Sequence, residues 1–196
     1  MKLLILFSLY LSSVFAQEGV KLKDVTMSYG DSAFTSGLNI ATTFSLKPNR
    51  DLELVGNSER FYTTVNFKTA SNKLSLDATA GAFKKLPWVG PRVVYTPVKQ
   101  VMAMYWSGVS AGRVEAIRAE PKSFFQQLSF YVYPIEGVSL GYTAIKMDVY
   151  KATMLPEVAY KFKLMKDLKM GVSATYDTVA KKPLFCVFLS YSPPQK

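Results

Sequence analysis

The chain has 196 residues and a formal charge of +10, with 49% apolar and 14% aromatic residues, enough for one domain built as a single core or a single closed barrel. It contains no histidine and one cysteine, Cys186. Ser–His–Asp and Cys–His catalysis, histidine metal sites and an intramolecular disulfide framework are therefore excluded.

The first element is an export signal. Lys2 supplies the positive start, Leu3 to Val14 the apolar stretch, and Val14-Phe15-Ala16 a small-residue cleavage site. Residues 1–16 read as a signal peptide and residues 17–196 as one β-barrel domain, with Gln17 as the expected first mature residue. Beyond it no stretch approaches the roughly 20 consecutive apolar residues that a membrane helix needs.

Alternation with a period of two then governs the chain, the mark of a strand with one apolar and one polar face. It is clear in Leu38, Ile40, Thr42, Phe44 and Leu46 against Asn39, Ala41, Thr43, Ser45 and Lys47, and Lys47-Pro48-Asn49-Arg50-Asp51 ends that strand. Residues 61–68 and 73–82 form two further strands separated by Ala70-Ser71-Asn72. In the second of them Leu74, Leu76, Ala78 and Ala80 oppose Lys73, Ser75, Asp77 and Thr79. Pro87, Pro91 and Pro97 interrupt the next stretch, because proline cannot donate to a strand ladder.

Met102, Met104 and Trp106 then share one face, with Val101, Ala103 and Tyr105 on the other. A strand apolar on both sides suits a covered sheet or a narrow barrel filled by side chains. Residues 111–119 alternate as well and are expected to be a strand. Pro134-Ile135-Glu136-Gly137 marks a turn. The cleanest hairpin comes last, with Val158, Tyr160, Phe162 and Leu164 before Lys166-Asp167, and Leu168, Met170, Val172, Ala174 and Tyr176 after it. A lysine on a strand centre must find water, so Lys161, Lys163 and Lys169, with Ser173, are expected to face inward or to water. Tyr160, Phe162, Val172 and Ala174 are expected to face lipid, with Phe162 near the bilayer midplane.

The signal, the hairpins and the C-terminal series Phe185, Val187, Leu189 and Tyr191 together resemble the small bacterial outer-membrane β-barrel class. That class ordinarily ends on a terminal aromatic residue, whereas this chain adds Ser192-Pro193-Pro194-Gln195-Lys196. The resemblance implies an all-β chain forming a single antiparallel up-and-down barrel in the bacterial outer membrane. The strand patterns number about ten to twelve. The soluble alternative places the chain in the periplasm or outside the cell.

The candidate site is a lumen charge network. Arg113 and Glu115 share one strand face and are expected to pair across the lumen with Lys161 or Lys163, as filling for a narrow barrel or as a selectivity element for an anionic solute. Asp24, Asp31, Asp51, Glu53 and Glu59 are scattered acids without calcium-loop spacing, and neither a metal nor a cofactor is expected. The lysines are spread along the chain, which suits anionic lipid headgroups or lipopolysaccharide phosphates better than nucleic acid. Envelope proteins are the other expected partners.

The function expected is a non-enzymatic outer-membrane barrel serving as envelope component, narrow channel or anchor for partner proteins. The alternatives are a soluble exported β-barrel or β-sandwich binding an apolar ligand, and a structural subunit of a surface assembly whose edge strands pair between chains.

Overall fold

The computed structural model describes residues 20–31, 36–47, 49–57, 60–69, 71–83, 86–110, 123–147 and 152–194. They form twelve strands: β1 (Lys21–Asp31), β2 (Ser36–Lys47), β3 (Arg50–Asn57), β4 (Arg60–Lys68), β5 (Leu74–Phe83), β6 (Leu86–Val98), β7 (Val101–Ser110), β8 (Ser123–Val132), β9 (Val138–Met147), β10 (Thr153–Met165), β11 (Leu168–Asp177) and β12 (Lys182–Tyr191). Each strand pairs antiparallel with its neighbours in sequence. The first and last close the ring, with register running from Val25 opposite Tyr191 to Gly30 opposite Cys186. This is the expected all-β up-and-down barrel, with the strand number settled at twelve. The segment 111–119, expected as a strand and carrying Arg113 and Glu115, lies outside the described residues.

Closure decides which face is which. Contacts that skip strands can form only inside the tube, and they join Arg92 on β6 to Glu53 on β3, Lys23 on β1 to Asp51 on β3, and Lys161 on β10 to Ser190 on β12. The strand register extends that assignment around the ring. Thr26, Thr64, Asp77, Arg92, Gln127, Ser129, Thr143, Glu157 and Thr175 face inward. The outward positions include Met27, Tyr29, Leu38, Leu76, Val89, Tyr105, Leu128, Phe130, Leu140, Val158, Val172 and Phe185, which stay exposed although apolar. On the outward side of β2 to β4, Phe44, Leu52 and Leu54 are buried, packed with Val20, Leu22, Leu46, Phe61 and Val65.

The β10–β11 hairpin turns at Lys166 and Asp167, with Tyr160 opposite Val172 and Phe162 opposite Met170. Tyr160, Phe162, Val172 and Ala174 point outward, while Lys161, Lys163, Lys169 and Ser173 point inward. Phe162, however, lies close to the turn and stacks on Tyr160 with ring centroids 5.9 Å apart. Val158 and Val172 are the outward side chains nearest mid-strand.

The prolines of β6 do not break it. Pro91 keeps its place opposite Ala78 of β5, and on the β7 side the ladder steps from Val89–Val109 to Arg92–Trp106. The missing amide of Pro91 therefore falls in that gap. Pro97 sits in the irregularity between Tyr95 and Val98. Proline is tolerated in a strand where no ladder donor is required.

Four inward glycines each face an aromatic residue directly across the strands: Gly81 and Tyr62, Gly108 and Phe125, Gly141 and Tyr131, Gly171 and Phe188. At three of them, Gly108, Gly141 and Gly171, a Cβ would run into the partner's ring, so the ring lies flat over bare backbone. Gly171→Val should destabilise by about 1–3 kcal/mol in urea unfolding, and Phe188→Ala in the same chain should reduce the penalty.

Candidate functional site: the lumen

The connections β2–β3, β4–β5, β6–β7, β8–β9 and β10–β11 lie at one end of the barrel, together with the start of β1 and the end of β12. This is called the turn end, and the opposite end the loop end. Lumen chemistry changes from one end to the other.

Near the loop end four rings pack on one another from β4, β6, β7 and β8. Tyr62 and Trp106 have centroids 5.3 Å apart, Trp88 and Trp106 5.2 Å, and Phe125 stands edge-on to both indoles at 5.3 Å. Edge and tilted geometries suit the ring quadrupoles, with the positive edge of one against the negative face of another. These rings thicken the wall on one side of the lumen.

At mid-height the same wall carries a closed ionic network. Arg92 donates from Nε to Asp77 Oδ2 at 2.7 Å, from Nη2 to Glu53 Oε2 at 2.7 Å, and from Nη2 to Asn66 Oδ1 at 3.4 Å. Asp77 also accepts the Ser75 hydroxyl. Two carboxylates converging on one guanidinium use its planar fork of donors.

Nearer the turn end, Asp51 Oδ2 accepts Lys23 Nζ at 2.7 Å and Lys68 Nζ at 2.6 Å. A β-bulge between Leu22 and Asp24 turns Lys23 into the lumen; a bulge re-aims one side chain without ending the strand. Opposite, Gln127, Ser129 and Thr143 form a hydroxyl and amide ladder, with Gln127 Nε2 donating to Ser129 Oγ at 2.9 Å.

The wall of β10 to β12 differs. Lys161 Nζ reaches Ser190 Oγ at 3.4 Å and sits 5.7 Å from the Phe188 ring centroid. Lys163 faces Lys169 directly across the strands.

Of the expected site residues, Lys161 and Lys163 line the lumen, while Arg113 and Glu115 lie outside the described residues. Among the described residues the acids that pair with bases in the lumen are Asp51, Glu53 and Asp77, and their partners are Lys23, Lys68 and Arg92. Alternation alone places Asp77 on an inward face, whereas the prolines around Arg92 hide its facing from the sequence. Their meeting depends on strand register, which no local pattern reveals.

No family model and no curated protein matches the sequence. Solved structures share the architecture. The KdgM porin aligns with a TM-score of 0.56 over 88% of this chain and 99% of that chain at 11% identity. The NanC porin aligns with a TM-score of 0.54 over 88% and 100% at 7% identity. At such identities the likeness establishes a shared fold, the closed porin-type β-barrel.

Proposed function

We propose that this chain is a non-enzymatic outer-membrane β-barrel acting as a narrow channel for small solutes. The observation that carries the reading is the segregation of its two faces. Outside the buried patch of β2 to β4, exposed apolar side chains point out, while the ion pairs and most hydroxyl pairs point in beside the aromatic cluster, the arrangement a barrel needs in hydrocarbon. Strands of 8 to 13 residues match a tilted crossing of roughly 9–11 residues. A soluble ligand-binding barrel would carry the opposite polarity. The porin fold of KdgM and NanC supports the same reading, and one KdgM structure holds disordered oligogalacturonate, an anionic saccharide.

In this reading lipid covers the outward face, and anionic headgroups or lipopolysaccharide phosphates meet lysines at the barrel ends. Residues 1–16 act as the export signal. Protein purified from the outer membrane is expected to begin at Gln17 on N-terminal sequencing, and an intact Met1 would contradict this.

Fractionation and planar-bilayer recording test the channel. The expected result is detergent-dependent extraction, heat-modifiable gel migration, and small currents that favour anions over cations. Release by osmotic shock, or large cation-selective openings, would overturn it.

A further inference from the structure

Two groups of lumen charges behave differently, while Glu157, inward on β10 and further from the turn, accepts the Thr175 hydroxyl. On the β3 to β6 wall every acid is matched: Asp51 by Lys23 and Lys68, Glu53 and Asp77 by Arg92. On β10 and β11, Lys161, Lys163 and Lys169 gather near the turn end, and among the described residues no carboxylate lies within ion-pair distance of any of them. Asp24 on β1 attracts Lys161 without forming an ion pair with it.

Their arrangement is selective in shape. Lys163 and Lys169 stand directly opposite, about 5 Å apart at Cβ, and Lys161 lies one same-face step along β10, about 7 Å away. Like charges directly opposite are destabilising in a sheet, and among the described residues neither Lys163 nor Lys169 forms an ion pair. Lys161 is held over the Phe188 ring and donates from Nζ to Ser190 Oγ, which also lies 2.6 Å from the Thr26 hydroxyl. Lys163 and Lys169 are exposed to the lumen.

The geometry points to an oxyanion station at the turn end of the lumen, formed by Lys161, Lys163 and Lys169. It takes solutes that carry two or more anionic oxygen groups, such as phosphoryl or paired carboxylate groups. A halide ion would satisfy only one ammonium at a time, whereas a multivalent oxyanion spans all of them with charge-assisted hydrogen bonds. The placement deepens the channel reading, since it puts the station nearer one mouth than the other.

Two experiments separate the station from the channel. The folded barrel in detergent micelles is titrated with inorganic pyrophosphate by calorimetry. Saturable binding is expected, weakened at least about tenfold in K161Q/K163Q/K169Q and kept in K161R/K163R/K169R, with far-ultraviolet circular dichroism confirming the fold of both. Absence of binding to the unaltered barrel, or equal affinity in the glutamine variant, overturns the station.

In planar bilayers, pyrophosphate at the turn-end side is expected to block current at lower concentration than at the loop-end side. Equal block from both sides overturns the placement. Binding in micelles that disappears in the glutamine variant, in a barrel that passes no current, upholds the station and refutes the channel reading.

Discussion

Arginine at Val172 should destabilise the barrel in lipid vesicles by roughly 2–4 kcal/mol, read from urea unfolding. Val172 is outward, mid-strand in β11, 45% exposed and flanked by Tyr160 and Val187. A guanidinium there would sit in hydrocarbon with no acceptor. The cost should fall with depth. Phe162→Arg, beside the turn, should lose only about 0–1 kcal/mol to membrane transfer, plus the stacking on Tyr160. Lys163→Arg, one residue on and facing the lumen, should stay within about 0.5 kcal/mol. Equal penalties at Val172 and Lys163 would refute the assignment of faces.

The second large effect concerns the mid-lumen network. Arg92→Met should cost about 3–5 kcal/mol, because it strands two carboxylates where water is scarce. The Asp77 side chain is 0% exposed and that of Glu53 only 23%. Adding Asp77→Asn and Glu53→Gln to the same chain should recover most of the loss, since uncharged partners no longer need the guanidinium. Trp106 pairs across the strands with Arg92 and packs on Trp88, so tryptophan fluorescence during unfolding reports this wall of the lumen. If the single variant is as stable as the parent, the network is not what joins β3, β5 and β6 across the lumen.

These cases mark what the sequence discloses. Where one face is apolar and the other lysine-rich, as in residues 158–177, alternation fixes the facing of every side chain and the turn fixes the register. The barrel architecture and the inward Lys161 and Lys163 were legible for that reason. Residues 86–98 were not, because a proline reads as a break unless the gap in the neighbouring ladder is known. Nor was the Arg92 network. Glu53, Asp77 and Arg92 are spread along the chain, and only the stacked registers of β3 to β6 bring them together. Asp51 and Glu53 read as scattered loop acids because local sequence carries polarity but not partnership.

Ring closure also shapes how the molecule must assemble. Thr26 and Ser190, hydrogen-bonded across the β1–β12 seam, are 164 residues apart in the chain. The seam is the contact of greatest sequence separation, so it carries the largest loop-closure entropy. It cannot form until β12 is available, and until then β1 keeps one edge of unpaired amides and carbonyls. High contact order slows folding, and an open strand edge beside outward apolar side chains invites pairing with other chains. The yield on unassisted refolding should therefore fall as protein concentration rises, as light scattering during refolding would show.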